Sequence, residues 1–141
     1  MQHAKINIKT HQLKNNYAQP HFFILNKGNN SGKPMEKPCP NCFVCLCKTD
    51  KEKQQLYWLF YGLWQGRFFN PFITGSVIPY IRLADLKNTA ILSLQKIELK
   101  PILYDKNINA LQSLDNHSKL ILEQIQLIKQ AKKALMYQVL K

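Results

Sequence analysis

Cys39-Pro-Asn-Cys-Phe-Val-Cys-Leu-Cys47 runs almost directly into Thr49-Asp-Lys-Glu-Lys-Gln-Gln-Leu-Tyr-Trp-Leu-Phe-Tyr-Gly-Leu-Trp-Gln-Gly66, and the change of period between the two decides the fold. In the first segment, a strand from Phe43 to Cys47 sets Cys45 and Cys47 on one face and Val44 and Leu46 on the other, because side chains alternate along a strand. In the second, Leu56, Leu59, Phe60, Leu63 and Trp64 recur at intervals of three and four, which is one broad apolar stripe of a helix. Thr49 and Glu52 have capping-box spacing, so the helix starts there and runs toward Gly66, with Gly62 weakening it slightly. A strand-period segment feeding a helix-period segment predicts a mixed α/β (α+β) domain.

The four cysteines admit two further readings. Four thiolates satisfy tetrahedral zinc or an iron-sulfur cluster, and Cys39 and Cys42 have the Cys-x-x-Cys spacing of redox dithiols. Structural zinc usually draws on two knuckles parted by a longer loop, whereas these sulfurs share one short segment. Free cysteine also packs well as a small buried hydrophobe. The expectation is therefore a packed strand entered by a Cys-Pro-Asn-Cys turn, with no metal and no cofactor.

Upstream, Lys5-Ile-Asn-Ile-Lys-Thr10 alternates polar and apolar residues and His21-Phe-Phe-Ile-Leu-Asn26 is a compact apolar run, so both read as short strands. Between them and the cysteines, Lys27-Gly-Asn-Asn-Ser-Gly-Lys-Pro34 gathers turn formers and reads as a surface loop. Downstream, the pattern turns helical from Ala84, and Pro101 suits the first turn of another helix, where its missing amide costs nothing. In that last helix Leu114, Ile121, Ile128 and Leu135 are spaced by sevens, with Leu111, Ser118, Ile125, Lys132 and Val139 at the companion positions. This is a heptad seam, whose polar Ser118 and Lys132 lower stability and select register. The architecture expected is a small twisted sheet with a capping helix over residues 1–100, then a helical pair whose final member, over 101–141, is a long coiled-coil arm.

A formal charge of +12 over 141 residues points to a polyanionic partner. No apolar run approaches the ~20 residues that cross a bilayer, and Met1-Gln-His-Ala-Lys-Ile-Asn-Ile-Lys9 lacks the apolar core of a signal peptide. A cytoplasmic protein without membrane contact is expected, with its thiols reduced. Gly32-Lys33 precedes Pro34, so the loop is not a P-loop. His3, His11, His21 and His117 are scattered, and no nucleophile-elbow or metalloprotease motif is present, so no catalytic residue is assigned.

Arg67 and Arg82 are the only arginines in a lysine-rich chain. A guanidinium suits bidentate contact with guanine or phosphate better than an ammonium does. With Lys27, Asn29, Asn30, Lys33 and Lys37 of the loop, a mix able to meet phosphates and base edges, they form the expected DNA-binding set. The rings between Tyr57 and Tyr80 fall mostly at helical spacing beside leucines and are expected to be core rather than a base-stacking platform.

Phe72-Ile-Thr-Gly-Ser-Val-Ile-Pro-Tyr-Ile-Arg-Leu-Ala-Asp-Leu-Lys87, followed by the long helix with its Lys-Gln-Ala-Lys-Lys-Ala-Leu-Met136, resembles half of a type I restriction-modification specificity subunit. The shared parts are the Gly-Ser turn, the Ile-Pro, the Asp85-Leu86 pair and the conserved-region helix. Ala90–Lys100 stands where that family carries a Pro-Leu-Pro-Pro segment and a Glu-Gln, and this chain has one domain and one helix where a full subunit has two of each. As a whole, the chain also looks like a small family of bacterial proteins with the same Cys-Pro-Asn-Cys run, a likeness that implies no activity. The specificity-subunit resemblance implies a non-catalytic reader of duplex DNA that docks a methyltransferase-type subunit. A lone half would homodimerise through Leu114, Ile121, Ile125, Ile128 and Leu135. The alternatives are a module that uses the same helix to dock on or mimic a restriction-modification complex, and a zinc-stabilised small domain.

Overall fold

The computed structural model describes residues 6–141; Lys5, the first residue of the expected opening strand, and His3 lie outside it. The chain forms two compact units that part between Pro101 and Ile102. The first is an α+β unit, with strands β1 (Asn7–Thr10), β2 (His21–Leu25), β3 (Pro34–Met35) and β4 (Cys42–Leu46) and helices α1 (Asp50–Gln65) and α2 (Leu83–Glu98). The strands make one antiparallel sheet in the order β1-β4-β2-β3.

β4 lies inside the sheet, and its run of apolar residues follows from having both faces covered. Phe43, Cys45 and Cys47 face a core built with Ile8, Phe22, Ile24, the α1 residues Leu56, Leu59, Phe60 and Leu63, and Leu86 and Ala90 of α2. Cys42 and Val44 face the other way, into a smaller cluster with Phe23, Tyr17, Met35, Cys39 and Leu46. The alternation read from the sequence thus holds, one residue earlier than expected at each end. Register locks it. Ile8 and Phe22 flank Cys45 on one face, and Phe23 opposes Val44 on the other, so a slip by one residue would carry both sets to the wrong side. Each such side chain contributes about 1.5–3 kcal/mol by leaving water.

Part of the expected Lys27–Pro34 loop is strand. Pro34 pairs with Ile24 in β3, and a residue with no amide to donate is tolerated there because β3 is an edge strand. At the start of α1, Thr49 takes extended backbone angles and its hydroxyl accepts from the Glu52 amide at 3.1 Å. Asp50 and Glu52 place negative charge in the first turn, where the helix dipole favours it.

The second unit is the helix α3 (Pro101–Leu140), 40 residues and about 60 Å long at the usual rise. None of its residues is buried. No helix among the described residues is long and apolar enough to cross a membrane.

Candidate nucleic-acid interface

The site begins where α1 ends. The Phe68 amide donates to the Leu63 carbonyl at 2.9 Å and the Arg67 amide to the Trp64 carbonyl at 3.1 Å. This nested pair is a Schellman motif, which requires a left-handed residue just past the helix cap. Glycine usually fills that position because it has no Cβ to clash. Here Gly66 is one residue early, as the cap itself with φ −77°, and the left-handed residue is Arg67 with φ 61°. Holding a bulky side chain there costs about 1–2 kcal/mol. Among the described residues Arg67 is the one non-glycine with positive φ.

Opposite stands the loop between β2 and β3, which is tightly built for a polar loop. Gly28 and Gly32 both take positive φ, at 99° and 98°. The buried Ser31 hydroxyl lies 2.8 Å from the Asn26 carbonyl and 2.6 Å from that of Gly28. The Gly28 amide donates to the Pro79 carbonyl at 2.7 Å, and the Ile81 amide to that of Asn26 at 3.0 Å. Tied on both sides, the loop presents Asn29 and Asn30 outward.

Between these two turns lies a cleft of about 340 Å³ lined by Asn29, Asn30, Trp64, Gln65, Arg67 and Asn70. Four of the six are carboxamides, each with donors and an acceptor, and none is a carboxylate. The Lys33 ammonium sits 5.1 Å from the centre of the Trp64 ring, a cation–π contact that holds a positive charge beside the cleft. Among the described residues neither Arg67 nor Arg82 takes part in an ion pair. The cleft is thus cationic and rich in hydrogen-bonding groups, suited to a ligand that combines anionic and base-like features.

The structure brings together Asn29, Asn30 and Arg67 of the expected set, with Lys33 beside them through Trp64. It does not bring the rest. Lys27 is exposed, and its backbone bridges to Tyr80. Lys37 is exposed beyond β3, and Arg82 is exposed at the N-terminal cap of α2; neither lines the cleft. Gln65, Asn70 and Trp64 line it without having been singled out as ligand contacts. Trp64 sits at stripe spacing, yet it is only half-buried and turns toward the cleft. The rings divide too. Phe60 and Phe69 are core, while Phe68 and Phe72 are exposed.

The cysteines are separated by the pleat. Among the described residues no three of His, Cys, Asp and Glu are placed to hold a metal ion. The Cys47 thiol beside it, with burial, pushes the Cys45 thiol well above the usual range, so it stays protonated. Burial likewise raises Cys42, whose thiol donates to the Cys39 carbonyl at 3.2 Å. On α3, Leu114, Ile121, Ile125, Ile128 and Leu135 are all exposed.

Neither the curated proteins nor the solved structures include a match to the chain. A family model does match it, over residues 8–138. That span takes in all but the first residue of the sheet, all but the last two residues of α3 and both walls of the cleft, and the chain belongs to DUF6943, a family of unknown function.

Proposed function

We propose that the protein binds nucleic acid in the cytoplasm, without catalysing a reaction, through the cleft between the Asn29-Asn30 loop and the Gln65–Asn70 turn. The observation that carries this is Arg67. A left-handed position that glycine would fill without strain is occupied by a guanidinium on the wall of an amide-lined cleft free of carboxylates. Strain kept at such a place suggests use. The net charge of +12 supports a polyanionic ligand, and the likeness of Phe72–Lys87 to a target-recognition segment supports the same class. In this reading Asn29, Asn30 and Arg67 meet bases, while Lys27, Lys33, Lys37 and Arg82 meet phosphates.

A second reading concerns α3, where the exposed seam supports self-association. One copy covers the stripe of another in a two-fold pair, which would present two clefts.

A mobility-shift series over salt concentration, with duplex DNA, single strands and RNA, tests the main reading. Affinity should fall steeply with salt, and each phosphate-bound lysine changed to alanine should flatten the slope by about one unit. No binding even at low salt would overturn it.

A further inference from the structure

We propose that the cleft receives a single unpaired base with its adjoining phosphate, so that the preferred ligand is a single strand or a bulged, unstacked nucleotide rather than a fully paired duplex. This rests on the nucleic-acid reading above and narrows its ligand.

Shape is the first argument. Base edges in a duplex lie on the floor of a groove, and reading them takes a protruding helix or β-ribbon. The two turns that carry the cleft residues recede around a space of about 340 Å³ instead. What enters a recess must itself protrude, and in nucleic acid the protruding group is an unstacked base. The space falls at the lower end of small-ligand sites, roughly 300–1,000 Å³, which suits one nucleotide rather than several.

Chemistry is the second. The Watson–Crick edge of any base sets donors and acceptors side by side, and it is free only when the base is unpaired. Asn29, Asn30, Gln65 and Asn70 offer the matching pairs from both walls. Lys33 already covers Trp64 at 5.1 Å, so recognition falls to the amides more than to stacking. Lys33 supplies positive charge for the adjoining phosphate, and the Arg67 guanidinium adds donors toward the base.

Rigidity is the third. Ser31 is buried and bonded on one wall, and the Schellman bonds fix the other. Neither turn has to be ordered when ligand arrives, which lowers the cost of binding.

The test is fluorescence anisotropy with four labelled probes: a single-stranded DNA, the RNA of the same sequence, its blunt duplex, and that duplex with one bulged base. The full chain is compared with Arg67→Gly and Asn30→Ala, each checked for folding by its melting curve. The single strands and the bulged duplex should bind roughly tenfold more tightly than the paired duplex, and both variants should erase the difference. The DNA and RNA arms tell which sugar is preferred. Paired duplex binding as tightly as the single strands, with the variants weakening all probes alike, would overturn the unpaired-base assignment and leave nucleic-acid binding standing. No binding to any probe at low salt would overturn both.

Discussion

The Phe69 ring packs against the bare Cα of Gly32, so close that a methyl group there would overlap it. Gly32 ends the turn that carries Asn29 and Asn30, while Phe69 lies between Arg67 and Asn70 and is buried in the main core. One contact therefore sets the spacing of the two walls. Gly32→Ala meets both a positive φ of 98° and the ring, and should cost about 2–4 kcal/mol. In thermal melts this should lower the transition by roughly 10 °C or more, and nucleic-acid affinity should fall with it. A melt within a degree or two of the parent would show that the walls are not braced there.

Thr49 caps the opposite end of α1 from the cleft. Thr49→Ala removes the acceptor for the Glu52 amide and should cost about 1 kcal/mol. Denaturant titration should show that loss while probe affinity stays unchanged. Lost affinity at full stability would mean that the ligand surface extends to the N-terminal end of α1.

Much of this fold could be read from periodicity and caps. The two faces of β4, the start of α1 at Thr49 and the start of α3 at Pro101 are local, and local rules found them. The cleft is not local. Asn29 and Arg67 meet because Phe69 enters a core shared with β2 and β4, and nothing in the charge of Lys37 or Arg82 says that they stand elsewhere. The end of α1 near Gly66 was legible, but the left-handed site was not: hydrogen bonding puts it one residue past the glycine, on Arg67, where the residue type gives no sign of it. The two-residue β3, led by a proline, was too short for any pattern to reveal.

Cys45 is a buried thiol held protonated by Cys47 and burial. Its pKa lies above the ordinary 9.0; the hydrogen bond that raises it lowers Cys47, and burial, which opposes ionisation of both thiols, leaves the pair as a whole holding its protons longer than the unfolded chain does. The stability it contributes is intact below that value and is lost as pH climbs past it. The urea midpoint should therefore fall above pH ~9, and the fall should be smaller in Cys45→Ala. An identical alkaline profile would contradict the assignment. In the folded chain half-exposed Cys39 should be alkylated first. A packed strand also predicts that a chelator leaves the melt unchanged; a metal lost together with the fold would restore the zinc reading.

On α3 the exposed seam predicts self-association. Sedimentation at tens of micromolar, roughly where weak coiled coils pair, should show a dimer that Ile121→Lys dissociates. A monomer whose mass is unchanged by the substitution would remove the second reading.

Arg67→Gly separates fold from function most directly. Glycine takes the left-handed position without strain, offset in part by its greater freedom when unfolded, so the melting temperature should stay level or rise slightly. The guanidinium is gone, and affinity for a single-stranded probe at low salt should drop by about 1–3 kcal/mol, roughly 5- to 150-fold. Stability kept with binding lost is the result this account predicts. Binding retained at full strength would show that Arg67 is not held in its strained position for a nucleic-acid ligand, and would contradict the account at its centre.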